Sequence, residues 1–296
     1  MSVLVIGGSG YIGSRLVPHL KKCNHEVIAY GDRSNDYNKL TKDFLAPFKT
    51  IILLAGHSSV QMCDGDIKSP WHNNVRNFIN LVEKTSIDTK IIYASSASVY
   101  GNSDDVSFED KLSLDILNNY DLTKITLDIA AQKYIAQGRQ ILGLRFGTVN
   151  GGSPVIRRDL MINMMVYTAL KEGKITVANK HINRSILCID DLVRALERIV
   201  YQGRHNFISG MYNLASFTAT VEEISSYVSK KVGIGITDKG NTAGAYNFDI
   251  STEKFCKDYD FKFIETIETT VDSVVNCYKD PSTNIVIRKD YIEYND

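Results

Sequence analysis

Val3-Leu4-Val5-Ile6-Gly7-Gly8-Ser9-Gly10-Tyr11-Ile12-Gly13 is the stretch on which the fold of this 296-residue chain turns. Four apolar residues, three of them β-branched, read as a parallel strand buried on both faces. A glycine turn follows, and residues 11–22 then carry apolar positions at helical spacing. Each glycine has a physical task. Gly7 lets the chain turn sharply off the strand, and Gly10 keeps the backbone free of side chains where a pyrophosphate would approach. Gly13 lets the helix lie close on the sheet, with its N-terminal N–H groups and positive dipole end facing the phosphates. The spacing is G-x-x-G-x-x-G, and strand before with helix after is the context that makes such a pattern a dinucleotide site. The expected fold class is therefore α/β, a doubly wound parallel sheet of the Rossmann type.

Composition narrows the choice of partners. Hydrophobic residues make up 44% and charged residues 23%, as in ordinary globular domains. The 34 basic and 34 acidic residues cancel, so no long-range field draws the chain to nucleic acid. Basic pairs such as Arg157-Arg158 and Lys230-Lys231 read as solvated surface. Five scattered cysteines and six histidines show no metal-ligand or disulfide spacing. Met1 runs straight into the first strand and no apolar run is long enough to span a bilayer, so the expectation is a cytoplasmic, reduced protein without membrane contact.

Further along, residues 26–30 form a second short strand with Gly31-Asp32-Arg33 at its carboxyl end. Asp32 stands where an acid grips the adenosine ribose hydroxyls and points to NAD, while Arg33 beside it leaves NADP open. The gap to the next strand, residues 50–55, has room for one short crossover helix (37–45), so this part of the sheet is expected to be trimmed. Ala55-Gly56-His57 leaves that strand at the level of the cofactor, with His57 read as polar lining. Residues 70–84 form a helix, 90–96 a strand ending in a hydroxyl-rich turn, 120–137 a long helix and 140–145 the strand after it. Beyond residue 150 the alternation loosens. Helices at 160–172, 190–202, 220–231 and 265–278 interleave with short strands near 175–178, 211–214 and 234–237. The reading is a dinucleotide-binding core over 1–150. A small C-terminal substrate-binding lobe over 151–296 is interleaved with the last sheet elements, and the two form one continuous unit. The polar tail after 281 is expected to be loosely attached.

Tyr120-Asp-Leu-Thr-Lys124 carries the chemistry. Residues four apart share a helix face, so phenol and ammonium point into the same space. A phenol titrates near ~10 in water, and a close cation lowers that value and makes a usable acid/base. Ser96, at the end of its strand, supplies a hydroxyl to hold the oxygen whose proton moves.

With the Gly7-x-x-Gly10-x-x-Gly13 turn, the Ser95-Ser96-Ala97-Ser98-Val99-Tyr100-Gly101 turn and Tyr120-x-x-x-Lys124 in place, the chain resembles the extended short-chain dehydrogenase/reductase family. Within it, the nucleotide-sugar epimerases and dehydratases are the nearest in pattern. Asn73-Asn74-Val75, Leu144-Arg145-Phe146-Gly147 and the Arg184 to Asp191 segment add weaker support. The resemblance implies Tyr120 as acid/base, Lys124 as partner of the phenol and the nicotinamide ribose, and Ser96 as the hydroxyl on the sugar. It implies cofactor contacts from Gly7, Gly10, Tyr11, Ile12, Gly13, Asp32 and Arg33 at the adenosine half. Ala55, Gly56, His57, Asn74, Ala94, Ser95 and Phe146 would join Tyr120 and Lys124 along the rest of the dinucleotide. The implied substrate contacts are Ser96, Ser98, Tyr100, Thr148, Asn163 and Arg184, with the Arg184 guanidinium on the diphosphate.

Departures from the family select the reaction. The 4,6-dehydratases follow the serine or threonine with Asp-Glu, where Ala97 and Ser98 stand here. The 3,5-epimerase/reductases place a cysteine where this chain has Ser98. The turn is most similar to that of the UDP-galactose 4-epimerase branch. The family's ribose acid falls at Gly31, Thr148 replaces an asparagine, and a second diphosphate arginine is absent from residues 241–245. The expected activity is that of a nucleotide-sugar 4-epimerase that keeps its NAD. The alternatives are an NADP-dependent 4-keto-sugar reductase and a non-catalytic dinucleotide sensor. A homodimer through helices 70–84 and 120–137 is expected by family analogy.

Overall fold

The computed structural model describes residues 2–31, 36–113, 115–203, 205–242, 246–280 and 286–287. Among them, six strands form one parallel sheet: β1 (Ser2–Ile6), β2 (Glu26–Tyr30), β3 (Thr50–Leu53), β4 (Lys90–Ser96), β5 (Ile141–Phe146) and β6 (Gly210–Leu214). Their spatial order is β2-β1-β3-β4-β5-β6, with every neighbouring pair parallel. The order reverses between β1 and β3, which opens a crevice at the carboxyl ends of those strands.

Alternation along the strands explains their unbroken apolar runs. Val3 and Val5 face the core shared with α1 (Gly13–Lys22), while Leu4 and Ile6 face the opposite core. That second core holds Phe78 and Leu81 from α2 (Asn77–Lys84), and Leu127 and Ala131 from α3 (Asn119–Ala136). Both faces of the central strands β1, β3 and β5 are covered, so their positions need no polar residue for solvent, whereas the edge strand β2 leaves Glu26 and Ile28 exposed. A third core packs α4 (Met161–Glu172), α5 (Val221–Val232) and α6 (Ile267–Lys279) together beside the carboxyl edge of the sheet. The helix Ile189–Gln202 and β6 come from the second half of the chain but pack in the sheet layers.

The crossover between β2 and β3 is short, as its length predicts, yet it is not one helix. It divides into a 3₁₀ turn, Tyr37–Lys39, and a single α-turn, Lys42–Leu45. Asp36 caps the first and Thr41 caps the second, so two capping side chains in series stop any continuous helix. The helix expected over 70–84 contains a wide π-turn, Trp71–Arg76, ahead of α2. The second half also contains a three-stranded sheet that periodicity did not reveal. It is built from Thr148–Asn150, Asn183–Cys188 and Phe217–Thr220. Among the described residues of the tail, Val286–Ile287 pairs with Val155–Ile156. No helix among the described residues is long and apolar enough to cross a membrane.

Candidate active site

A cleft of about 880 Å³ runs along the carboxyl ends of the strands, from Gly31 at the tip of β2 to Arg184, Tyr246 and Phe248 in the lobe. That is the size of small-molecule and cofactor sites. The glycine turn forms one end. A Cβ on Gly13 would stand 2.3 Å from the Gly7 carbonyl oxygen, so the helix start is pressed against the turn. Gly7 has φ of +89°, a backbone conformation that side chains disfavour.

Tyr11 fastens this turn to the lobe. Its hydroxyl donates to the Gly151 carbonyl (2.8 Å) and accepts from Asn163 Nδ2 (3.2 Å). Arg15 adds a bond to the Gly152 carbonyl and an ion pair with Asp190. Asn163 is therefore a buried brace, its Oδ1 taking the Gly151 N–H and its Nδ2 also reaching the Arg157 carbonyl. It does not line the cleft, which corrects its expected place as a substrate contact: a fully buried amide with all its partners internal has nothing left to offer a ligand.

Along the middle of the cleft lie Ala55, Gly56 and His57. Asn74, presented by the π-turn, brackets this loop: its Oδ1 accepts from the His57 N–H (2.8 Å), and its Nδ2 donates to the His57 carbonyl (3.0 Å). The same Nδ2 reaches Thr123 on α3 (3.1 Å). Asn74 thus holds the loop against the Tyr120 helix from behind and is not itself on the cleft wall. A Cβ on Gly56 would meet Asn74 Oδ1 at 2.7 Å. Burial, and then the Lys124 charge, lower the His57 pKa, which keeps its ring neutral.

Ser96, Tyr120 and Lys124 converge on the cleft together with Ala94, Ser95, Ser98 and Phe146. Ser96 ends β4, and its Oγ accepts from the Ser98 N–H (3.1 Å), capping the turn Ala97–Tyr100. Asn118 caps α3 by accepting from the Asp121 N–H (3.0 Å), which starts the helix one residue before Tyr120. Lys124 Nζ donates to the Ala94 carbonyl (2.9 Å) and lies 5.7 Å from the Tyr120 ring centre. Its burial pulls its pKa down to about 8. The expected depression of the phenol by Lys124 is not what the geometry produces. Burial pushes Tyr120 up to about 12, and the opposing influences are a hydrogen bond with Ser96 and the charge of Arg157. Desolvation outweighs a lysine whose donor is directed at a carbonyl.

Tyr100 does not line the cleft either. Its hydroxyl donates to Asn213 Oδ1 (2.7 Å) and accepts from Arg145 (2.8 Å), so it serves a buried network under the sheet edge. Thr148 and Arg184 do line the cleft. Arg184 donates to Thr148 Oγ1 (3.2 Å) and to the Tyr246 carbonyl (3.1 Å), while its Nε is buried without a partner. None of these acceptors is a carboxylate, so the guanidinium keeps its capacity for an anion. Asp32 and Arg33 lie outside the described residues.

Arg157 and Asp159 also line the cleft, although composition placed Arg157 on the surface. Arg157 is 9% exposed and forks onto Asp159. The available signal was an arginine pair directly after the apolar Val155-Ile156 and just before an amphipathic helix.

The geometry is one of a dinucleotide cradle continuous with a hydroxyl, phenol and ammonium cluster and an arginine beyond it. The residues present fit a dinucleotide. The glycine turn leaves no room for side chains at its closest approach, and the Ser95 hydroxyl on the wall is buried without a hydrogen-bond partner. Residues 3–215 match the family model described as the NAD dependent epimerase/dehydratase family. Protein CapI of Staphylococcus aureus is 28% identical over 234 residues, 68% of this chain and 69% of that protein. UDP-glucuronate 4-epimerase 2 of Arabidopsis thaliana is 29% identical over 231 residues, 66% of this chain but 53% of that protein, so the chain spans about half of that relative's length. Among solved structures, MoeE5 in complex with UDP-glucuronic acid and NAD superposes with a TM-score of 0.83 at 23% identity. That likeness covers 94% of this chain and 99% of the other and concerns the fold.

Proposed function

The chain belongs to the NAD dependent epimerase/dehydratase family, and on that premise we propose that it is a nucleotide-sugar 4-epimerase that retains NAD. The observation that carries the reading is the convergence of Ser96, Tyr120 and Lys124 on one cleft that also contains the glycine turn and Arg184. Ala97 and Ser98 after Ser96 support epimerisation over dehydration, because neither side chain is the acid that expels water from a sugar.

In this proposal Gly7, Gly10 and Gly13, with the N-terminus of α1, hold the pyrophosphate of NAD. Gly56, His57 and Ser95 border the nicotinamide half. NAD, when bound, supplies a hydride acceptor and donor for the sugar carbon. Tyr120 Oη takes the proton from the C4 hydroxyl as that carbon is oxidised and returns it after the ring has presented its other face. Ser96 Oγ holds the same oxygen, and Lys124 keeps positive charge beside the phenol. Arg184, with Thr148, grips the diphosphate, which sits against the lobe formed from residue 151 onward. The protein acts in the cytoplasm as a homodimer, with α2 and α3 as the paired helices. Ile129 on α3 is 55% exposed and supplies apolar surface for that pairing.

The relatives support the reading: UDP-glucuronate 4-epimerase 2 and the UDP-glucose 4-epimerase of Corynebacterium glutamicum are named for such reactions. The experiment is a proton-NMR screen of UDP-, GDP- and dTDP-hexoses with the purified protein and no added cofactor. Interconversion at C4 is the expected result. Stoichiometric consumption of added NADPH instead would make the protein a 4-keto-sugar reductase. Tyr120→Phe should abolish turnover and leave dinucleotide binding in place, and surviving turnover would overturn the assignment of the phenol.

A further inference from the structure

Residues 151–159 reach from the turn after β1 to the loop after β3, the two neighbouring strands between which the sheet order reverses. The first part of this segment is fastened to the turn. Tyr11 Oη donates to the Gly151 carbonyl (2.8 Å), Arg15 Nη1 to the Gly152 carbonyl (2.6 Å), and Ser153 Oγ to the Tyr11 carbonyl (2.8 Å). At the far end Arg157 Nη1 donates to Ser58 Oγ (3.0 Å), and Nη2 lies 3.4 Å from the Ser58 carbonyl oxygen. Ile6 and Leu54, at the carboxyl ends of β1 and β3, line the cleft together with Ser58, Arg157 and Asp159. The cleft therefore passes between the strand ends and a side chain that joins the lobe to the core.

We propose that the Arg157 side chain is a bar across this crevice, and that its closure on Ser58 keeps the dinucleotide in the protein between the two hydride transfers. This rests on the reading of the protein as an epimerase that retains NAD. Such a reaction needs retention, because a cofactor that left halfway would strand a keto sugar. The backbone on both sides of the bar is held. Asn163 Nδ2 donates to the Arg157 carbonyl (3.0 Å), and Asn74 brackets His57, the residue before Ser58. What can move is the guanidinium itself. Asp159 sets its plane by accepting from Nε (3.1 Å) and Nη2 (2.5 Å), which aims Nη1 at Ser58. Arg157 is 9% exposed, so these charge-assisted bonds are little weakened by water. Two fixed posts and one removable side chain are what a gate on ligand exchange requires.

A gate changes rates in both directions, whereas an ordinary ligand contact changes mainly dissociation. The test uses the full chain and NADH, whose fluorescence reports association in a stopped-flow mixer and dissociation under a chase of excess NAD. Arg157→Gln, which has one amide in place of the fork, should speed both association and dissociation by about tenfold, with affinity kept within about threefold. Ser58→Ala should move both rates the same way by a smaller factor, since the Ser58 carbonyl remains as an acceptor. Faster dissociation with unchanged association, or unchanged rates in both variants, would overturn the proposal. A loosened fold would weaken binding without speeding association, so that outcome also counts against the bar. Should Arg157→Gln not fold, Ser58→Ala, which leaves the ion pair with Asp159 intact, still decides. Wild-type protein that binds no NADH would remove the NAD reading along with the bar, whereas normal binding with unaltered rates in the variants removes the bar alone.

Discussion

Arg145 on β5 donates through Nε to Asp128 Oδ2 on α3 at 2.8 Å, and both side chains are fully buried. Tyr93 on β4 donates to the other Asp128 oxygen (2.8 Å), and Arg145 continues to the Tyr100 hydroxyl. The network joins the helix that carries Tyr120 and Lys124 to the turn that begins at Ser96. Asp128 lies one helical turn beyond Lys124, so the register of the candidate site is set from beneath.

Breaking that pair on one side should be costly. Asp128→Ala leaves a buried guanidinium uncompensated, and a loss of about 3–5 kcal/mol in urea denaturation is expected. The double variant Asp128→Leu with Arg145→Met should recover much of the loss, because it removes both buried charges. A double variant no more stable than the single one would show that the hydrogen bonds to Tyr93 and Tyr100 matter more than the charge.

Lys124 should trade stability for function. Its folded pKa of about 8 lies below its ordinary 10.5 because burial disfavours the ammonium. Below about pH 8 the group is charged in both folded and unfolded chains, so the cost of burying the charge is fully present. Between 8 and 10.5 the folded chain has released the proton that the unfolded chain keeps, and the cost fades as pH rises. Lys124→Met is thus expected to raise stability at pH 7 by about 1–3 kcal/mol and to abolish turnover. Thermal melts at pH 7 and pH 10 check the sign: the gain should shrink at the higher pH.

Arg184→Ala should weaken binding of the nucleotide sugar by about 10–100-fold through loss of a charge-assisted contact, with NAD binding nearly unchanged. Calorimetry with each ligand separately tests this. Equal losses for both ligands would place Arg184 in the general packing of the lobe.

Gly13→Ala puts a Cβ 2.3 Å from the Gly7 carbonyl oxygen and 2.6 Å from Gly8. All of those atoms are backbone, so the clash has no flexible side chain to absorb it. The variant should lose dinucleotide affinity by more than tenfold, with lowered stability, since α1 must move off the turn. Retention of full affinity would mean that the turn is more pliable than its contacts indicate.

Much of the molecule is legible in the order of its residues, for a local reason. The apolar run Val3–Ile6, the glycines at 7, 10 and 13 and the four-residue spacing of Tyr120 and Lys124 are all short-range patterns. Strand, turn and helix geometry turn such patterns into structure without help from distant parts of the chain. Capping explains why the crossover after β2 divides, and the signals for that, Asp36 and Thr41, were also local.

Tertiary structure alone decided which polar residues face the cleft and which are used up inside. Asn163 and Tyr100 have the right chemistry for a ligand, but Tyr11, Gly151, Arg145 and Asn213, most of them far away in sequence, take up their hydrogen bonds. Arg157 reads as surface charge until the lobe folds over and brings it to Ser58. The direction of the Tyr120 titration was likewise set by burial, which outweighs the opposing hydrogen bond with Ser96 and charge of Arg157. Desolvation and long-range contacts belong to the packed chain as a whole, and residue spacing carries no record of them.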